Sequence, residues 1–566
     1  MALGILESKS VEHVPGTTRY YDDPDRPQVA TDAHKELKCD TSGKQPIILI
    51  PQPSDDPNDP LNWPLWKRDL ITFILCFAAI LATALGPILA ANTLTILRIF
   101  EQKLTNVALL TGWFLMGAGT AATFCVPSGR IWGKRHLFLT GTIIIIVSSV
   151  WAGASGENYE SLLAARVFQG VGAAPFESLL NAAVGDLYFV HQRGLRMAFT
   201  NLAVFGGAFF TPIVVGKITR DLGWTWTFYF VAIFMAATLV PLVLFCPETA
   251  YRRDDRLNTD IVAGNASSKS EGPSHSSMEP PPQNGEHGPP TQTTRPRSWN
   301  TLQRIGDANT PKKTFAETLH LFDGRKTDES YWKLLLRPFP ILANPAFVWG
   351  CLIQGTMIGW IVFVGVIIGV NFIGPPYWWG EVKAGYAYTA PFIGAIGGFI
   401  VSGLLADSSV KWMTRRNGGV YEPEFRIVLV IPMLVIGGIG LFGFALTAGE
   451  VLSEKYTYHV PLVFFGFEVA GMVIGAVASS LYIVDAYRDL AVEGFTIMII
   501  FKNFFSFGLT FSAYDWVIGN GIKTTLLSAA GVQVAICLLS IPMYVWGKRC
   551  RAFYHKHDLL AMTHLK

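Results

Sequence analysis

The sequence predicts an all-α membrane protein with twelve transmembrane helices in two pseudo-symmetric six-helix bundles. Three observations lead there. Twelve stretches are apolar and long enough to cross a bilayer, and they come as six, a long polar break, and six more. A hydrocarbon core of about 30 Å takes roughly 20 mostly apolar residues in helix. Half of the 566 residues are apolar and 15% are charged, where a soluble domain carries about 25% charged residues. The two sets also echo each other. The second span ends in CVPSGRIWGKR (125–135) and the eighth in GLLADSSVKWMTRR (403–416), both basic turns entered through a small residue.

Residues 1–64 form a polar N-terminal tail, expected to be largely disordered and cytosolic. It ends in DDPNDPLNWPLWKRD (55–69), whose prolines and aspartates forbid a regular helix before Trp66. The first bundle occupies 65–248, with spans near 66–93, 106–128, 136–155, 159–186, 194–218 and 225–246. The connection runs from 249 to 338. Its part 252–312 is rich in Ser, Pro, Gly and Asn and predicts disorder. Its part 313–337 sets Phe315, Leu319, Leu321 and Phe322 at helical spacing and predicts an amphipathic helix on the membrane surface. The second bundle occupies 339–547, with spans near 345–372, 384–406, 426–447, 459–486, 492–516 and 524–546; residues 548–566 form the C-terminal tail. Lys and Arg gather at one side of the spans, at positions such as Lys67, Arg130, Arg135, Arg196, Lys411, Arg416 and Arg549. Positive charge marks the cytosolic side, so both termini and the connection are expected there.

Composition excludes several classes. A net charge of +3 gives no reason to expect nucleic acid. The seven cysteines show no metal or redox spacing and read as small apolar residues. No G-x-x-x-x-G-K-[ST] loop exists, since Gly129-Arg-Ile-Trp-Gly133-Lys134 is too short and runs into Arg135. No cofactor or metal is implied, and nothing points to an enzyme. The remaining energy source is an ion or substrate gradient.

Ionisable groups inside spans are costly, roughly 2.5–3.5 kcal/mol each, and call for an interior place or a partner. Four stand out: Arg166 and Glu177 in span four, Glu468 in span ten and Lys502 in span eleven. Arg166 and Glu177 share a helix face but lie about 16 Å apart along it, too far to pair. Arg166 and Glu468 sit at matched depth in corresponding spans, so the reading is a latch that protonation of Glu468 releases; the plain alternative is a static structural pair. Lys502, next to Asn503, needs a carboxylate or a lowered pKa. Gln354 in span seven is a weaker polar candidate for the same pathway.

These residues and motifs resemble the major facilitator superfamily across nearly all of 60–550, and its fungal drug:proton antiporter branch in particular. Arg130, Gly133, Lys134 and Arg135 match the superfamily's basic turn after span two, with Gly129 where its Asp stands. The second copy keeps Gly403 and Asp407 but has Ser408 in place of Arg. RVFQGVGAAPFESL (166–179) is similar to the family's Arg-x-x-Gln-Gly motif, and GAFFTPIVVG (207–216) to its antiporter motif through Gly207, Pro212 and Gly216. GWTWTFYF (223–230), PET (247–249) and DPNDPLNWP resemble the fungal branch. The resemblance implies that spans four, ten and eleven line a central cavity. It implies that Arg130, Gly133, Lys134, Arg135, Asp186 and Asp407 belong to a conformational latch and that Gly207, Pro212 and Gly216 form a helix pivot. Because Gly129 replaces the motif's Asp, Arg130 must find another carboxylate, and Asp186 at the cytosolic end of span four is the nearest candidate.

The function expected on this basis is secondary active transport by alternating access, as proton-coupled efflux of small lipophilic compounds from the plasma membrane. Proton-coupled uptake of a nutrient or small cation such as a polyamine, and a transporter-like receptor that moves nothing, remain open. The partners expected are a small-molecule substrate, protons and the lipid bilayer, for a monomer.

Overall fold

The computed structural model describes residues 3–7, 14, 16–19, 38–40, 47–49, 52–252, 311–373, 377–451, 455–487, 490–557 and 559–565. Nearly all of the 252–312 stretch expected to be disordered, and much of the N-terminal tail, lie outside the described residues. Helices α1 (Leu65–Ala84), α2 (Leu104–Trp132), α3 (Arg135–Gly153), α4 (Tyr159–Ser178, resumed as Leu180–Leu187), α5 (Val190–Leu222) and α6 (Thr225–Phe245) form the first bundle. The second has α7 (Pro345–Ile373), α8 (Thr389–Arg416, led by Glu381–Tyr386), α9 (Val430–Ala448, led by the 3-10 turn Pro423–Leu429), α10 (His459–Ala486), α11 (Ala491–Asn520) and α12 (Ile522–Leu538, resumed as Ser540–Lys556).

Ten of these spans are long and apolar enough to cross a membrane on length and hydropathy alone. The other two are α1, which opens on Lys67, Arg68 and Asp69, and α4, which breaks at Leu179 after Pro175 removes a backbone donor. An even number of crossings puts both chain ends on one face, the terminal face. Each bundle has its own apolar core. Helices α3, α6, α9 and α12 turn large apolar residues outward, among them Val147, Phe234, Val240, Ile431, Val435 and Ile541. Such a surface suits lipid rather than water.

Within each bundle, small residues let backbones approach. In the first, Gly172 of α4 closes on the Gly141 backbone of α3; in the second, Gly471 of α10 closes on Gly437 of α9. The halves meet along two seams. One is α2 against α11, where Gly119 makes room for Asn503 and Phe504, and Trp113 lies edge-on to Phe507 at 5.2 Å. The other is α5 against the start of α8, at the far face, where Pro212 meets Gly385, Gly216 meets Glu381 and Phe210 meets Phe392. Thr95 donates to Glu381 there at 2.5 Å.

Residues 313–337 do not form the continuous surface helix that their spacing predicts. Only Phe315–Thr318, capped by Thr314 and Glu317, and Tyr331–Leu336 are helical. Between them the chain turns at Asp323 and at Gly324, whose φ is +76°. Burial works against the Asp323 carboxylate, but hydrogen bonds from Lys313 and Lys326, at 2.6 and 2.9 Å, outweigh it and hold its pKa below the usual value. The tertiary contacts of the α2–α3 turn then claim this segment's backbone, which a regular helix would have kept to itself. Arg135 donates to the Thr318 and Leu319 carbonyls, and the Lys326 amide donates to the Ile131 carbonyl at 2.7 Å.

Candidate functional site

Two charged sites lie along the meeting line of the two halves. The deeper joins α4 to α11. Lys502 Nζ lies 2.9 Å from Glu177 Oε2, and Asn503 Nδ2 reaches the same oxygen at 3.4 Å. Both members of the ion pair are nine-tenths or nearly so enclosed, at 15% and 10% side-chain exposure. The sequence calls for either a carboxylate beside Lys502 or a lowered pKa, and the fold supplies a carboxylate from the other half. Gln354 of α7 lies beside this region, one residue from Gly355, which packs on Phe501 and Lys502; its Oε1 has no partner among the described residues.

Arg166 and Glu468 do not meet. Arg166 is fully buried inside the first bundle. It donates to the carbonyls of Leu85 (2.7 Å), Gly86 (3.2 Å) and Leu110 (3.2 Å) and to Gln169 Oε1 (2.8 Å), and its guanidinium stands 4.8 Å from the Phe114 ring centroid. Five donors on a rigid fork satisfy the carbonyls freed where α1 ends, which is a structural task. Glu468 is fully buried inside the second bundle, and neither carboxylate oxygen has a partner among the described residues. It lies on the face of α10 that packs on α9: a Cβ placed on Gly440 would stand 2.6 Å from the Glu468 Cα. Counting back three residues from the paired contacts Gly172 and Gly471 gives Gln169 and Glu468. The counterpart of Glu468 is therefore Gln169 rather than Arg166, and the expected latch between Arg166 and Glu468 is corrected on that ground. Matched depth was right to within a turn, but the helix faces differ.

At the terminal face, the expected Arg130–Asp186 pair is also replaced. Asp186 takes Lys134, at 2.5 Å. Arg130 points the other way, to Glu493 in the first turn of α11 and to Glu329 of the connection at 3.4 Å. The reason is reach: Lys134 stands just ahead of α3 and faces the end of α4, while Arg130 is on the side of α2 that packs on α11. Gly133 adopts φ +93°, and a Cβ there would strike the Glu248 carboxylate. Glu248 accepts from the amides of Lys134 and Arg135, both at 2.9 Å, and so caps α3. Arg135 binds the carbonyls of Val243 and Cys246 at the end of α6.

The second half closes its copy with different residues. Asp407 has Arg426 at 3.8 Å, and Arg426 binds Asp485, the counterpart of Asp186, at 3.0 Å. Arg426 thus supplies the positive charge that Ser408 does not. Of the three expected pivot residues, Pro212 and Gly216 lie in the α5–α8 seam, whereas Gly207 packs on Ile80 of α1 within its own half.

Sequence reasoning missed Glu248, Glu329, Arg337, Arg426, Asp485 and Glu493. Glu248 carried a signal in its PET motif, and Asp485 in its repeat of the Asp186 position. Glu329 stands in a polar stretch and Glu493 at the very start of span eleven, where nothing in the sequence marks a glutamate as paired.

A family model for the Major Facilitator Superfamily matches residues 71–512. The chain is 25% identical to protein HOL1 of Saccharomyces cerevisiae, over 95% of each chain. It is 24% identical to the citrinin biosynthesis cluster MFS transporter mrr1 of Monascus ruber, over 93% of this chain and 97% of that one. Among solved structures, it is similar to the xylose transporter XylE of E. coli in a partially occluded inward-open conformation. The TM-score is 0.55 at 12% identity, covering 85% of this chain and 97% of that chain. The twelve-helix, two-bundle architecture and the matched family model agree: this chain belongs to the major facilitator superfamily.

Proposed function

We propose that this protein exports small lipophilic compounds, such as drugs or secondary metabolites, in exchange for protons, by rocking its two halves about a central site. The observation that carries the reading is the Lys502–Glu177 pair, whose members belong to different halves. Inside a bilayer, parting two such charges leaves each one uncompensated, at a cost of several kcal/mol. A proton on Glu177 removes its charge and lowers that cost. Binding a proton and separating the halves are then one linked equilibrium, which is what coupling requires. Glu468, an acid buried beside α9 with no partner among the described residues, is the second group we assign to the proton pathway; Gln354 and Asn503 are polar groups for substrate beside the ion pair. Arg166 braces the N-terminal bundle that moves.

The presence of a relative named for a biosynthetic cluster supports metabolites as cargo. We place the protein in the plasma membrane, working as a monomer, with both termini cytosolic because Lys and Arg concentrate on that side. One observation favours the opposite direction, proton-coupled uptake of a nutrient or small cation: Thr211 and Val215 stand where the antiporter-type motif has glycines.

The test uses inside-out vesicles with an acidic lumen. Export predicts that a lipophilic dye accumulates in the lumen and that the lumen turns alkaline as dye enters, with both effects lost in Glu177→Gln. Dye entry without proton movement, or unchanged proton-driven entry in Glu177→Gln, would overturn the assignment. Accumulation of a charged nutrient by intact cells instead would establish uptake.

A further inference from the structure

The basic turn SGRIWGKR (128–135) contains no carboxylate of its own. Arg130 nevertheless faces two, from two different bodies. Glu493 belongs to α11 of the second half, and Glu329 belongs to the connection. A second arginine completes the set. Arg337 Nη1 lies 2.8 Å from Glu329 Oε1 and 3.9 Å from Glu493 Oε1. Two arginines and two glutamates thus make a closed, neutral ring, of which Glu493 and Arg337 are buried, at 4% and 6% side-chain exposure.

The ring's members divide cleanly by attachment. Glu329 lies on a strap fixed to the first half: Lys326 bonds to Ile131, Thr318 takes Arg135, Tyr331 stacks near Trp132 with ring centroids 5.8 Å apart, and Phe322 lies over His136. At its start, Asn58 of the tail holds Pro311 and Lys313. Arg337 belongs to the second half, because its Nε donates to the Leu565 carbonyl at 2.7 Å and Pro338–Ile341 follows it directly into α7.

We infer that Glu329 is an exchange carboxylate: when the halves part at the terminal face, the ring splits into two neutral pairs, Arg130–Glu329 on one half and Arg337–Glu493 on the other. The inference rests on the alternating-access reading above. Its physical basis is that neither half keeps an uncompensated charge on a surface that was buried a moment before. Without Glu329, opening strands Arg130, while the closed state keeps Glu493 between two arginines. Glu329 is a positioning residue that eases opening, and Glu493 does the same for Arg337 on the other half. The two glutamates therefore act in the same direction: removing either one leaves an arginine bare in the open state and the other glutamate shared by two arginines in the closed state.

The experiment measures the spread of the terminal face without substrate or gradient, so it stands whether or not the transport reading survives. Spin labels go on Trp66→Cys and Lys411→Cys, exposed positions at the terminal ends of α1 and α8. Unsubstituted protein reports any label on native cysteines, of which five of the six described ones other than Cys550 are buried. Glu329→Gln and Glu493→Gln should each lower the long-distance population about three- to tenfold. Adding Glu329→Gln to Arg130→Gln removes a whole pair from one half and should return the population toward that of the parent. If Glu329→Gln raises the long-distance population, or lowers it equally with and without Arg130, Glu329 is an ordinary strut and the inference is wrong. Unchanged thermal unfolding of both variants excludes misfolding as the cause; should either fail to fold, Glu329→Ala and Glu493→Ala, read by the same distances, carry the same sign.

Discussion

Helices α4 and α10 occupy corresponding places in the two bundles, pack on their neighbours through corresponding glycines, and end at corresponding aspartates, yet they bury opposite chemistry. At the position three residues before the shared glycine contact, α4 has Gln169, bonded to Arg166 and within 3.5 Å of the Ser148 carbonyl. There α10 has Glu468, with no partner among the described residues. Buried polar groups are nearly always satisfied, and an exception calls for a cause. At this position the first bundle uses its polar side chain to hold itself together. The second keeps one acid unsatisfied, where a proton is the cheapest partner. The basic turns differ in a parallel way: Arg130 reaches across to the second half, while Arg426 keeps Asp407 and Asp485 within its own half. The two halves share a frame but differ in what it holds: in the first, Arg166 and Gln169 bond to each other and Arg130 reaches across; in the second, an acid is buried with no partner among the described residues.

The largest effect is expected from breaking the brace. Arg166→Leu strips the carbonyls of Leu85, Gly86 and Leu110 of their donor, at roughly 1–3 kcal/mol for each group left bare. Folded protein should fall sharply, as read by thermal unfolding in detergent. A variant as stable as the parent would mean that Arg166 is not structural and would restore a direct role in transport.

Making α10 resemble α4 is the sharper change. Glu468→Gln keeps size and hydrogen-bonding groups but cannot titrate. Gradient-driven transport should drop about tenfold or more, as expected for a lost proton-transfer group, while substrate exchange without a gradient and folded yield persist. Normal gradient-driven rates would remove Glu468 from the proton pathway and leave Glu177 alone.

The comparison of basic turns predicts a specific rescue. Lys134→Asp and Asp186→Lys should each slow turnover several-fold, and the double exchange should recover part of it, for a pair worth about 1 kcal/mol. Exchanging Arg130 with Asp186 should recover nothing. If the second exchange rescues and the first does not, the pairing at the terminal face is that expected from the sequence and not that seen in the fold.

The smallest effect concerns the connection. Deleting 257–310 should leave transport within a few-fold, because that composition cannot bury enough apolar surface to fold by itself. Extending the deletion to 330 removes the docked strap and Glu329 and should cost clearly more. Equal activity of the two deletions in protein delivered to the membrane would show that the strap is dispensable.

The sequence by itself determined the spans, their pairing into two sets of six, and the few charges within them, because crossing a bilayer demands long apolar helices and makes every buried charge conspicuous. It also showed that Lys502 needs a carboxylate or a lowered pKa. What it did not contain was which helix face each charge occupies relative to another helix. Arg166 and Gln169 lie within one turn of each other, and only the packing of Gly172 on Gly141 and Gly471 on Gly437 shows that Glu468 answers to the second of these. The same holds for Arg130, whose partner lies more than 300 residues away at the head of α11. For the strap, the apolar spacing at 315–322 is real, yet a short amphipathic helix is marginal on its own, and the Ile131 carbonyl and the Arg135 guanidinium at the α2–α3 turn compete for its backbone. Local pattern records what a segment prefers alone; tertiary structure decides which of its groups are taken by others.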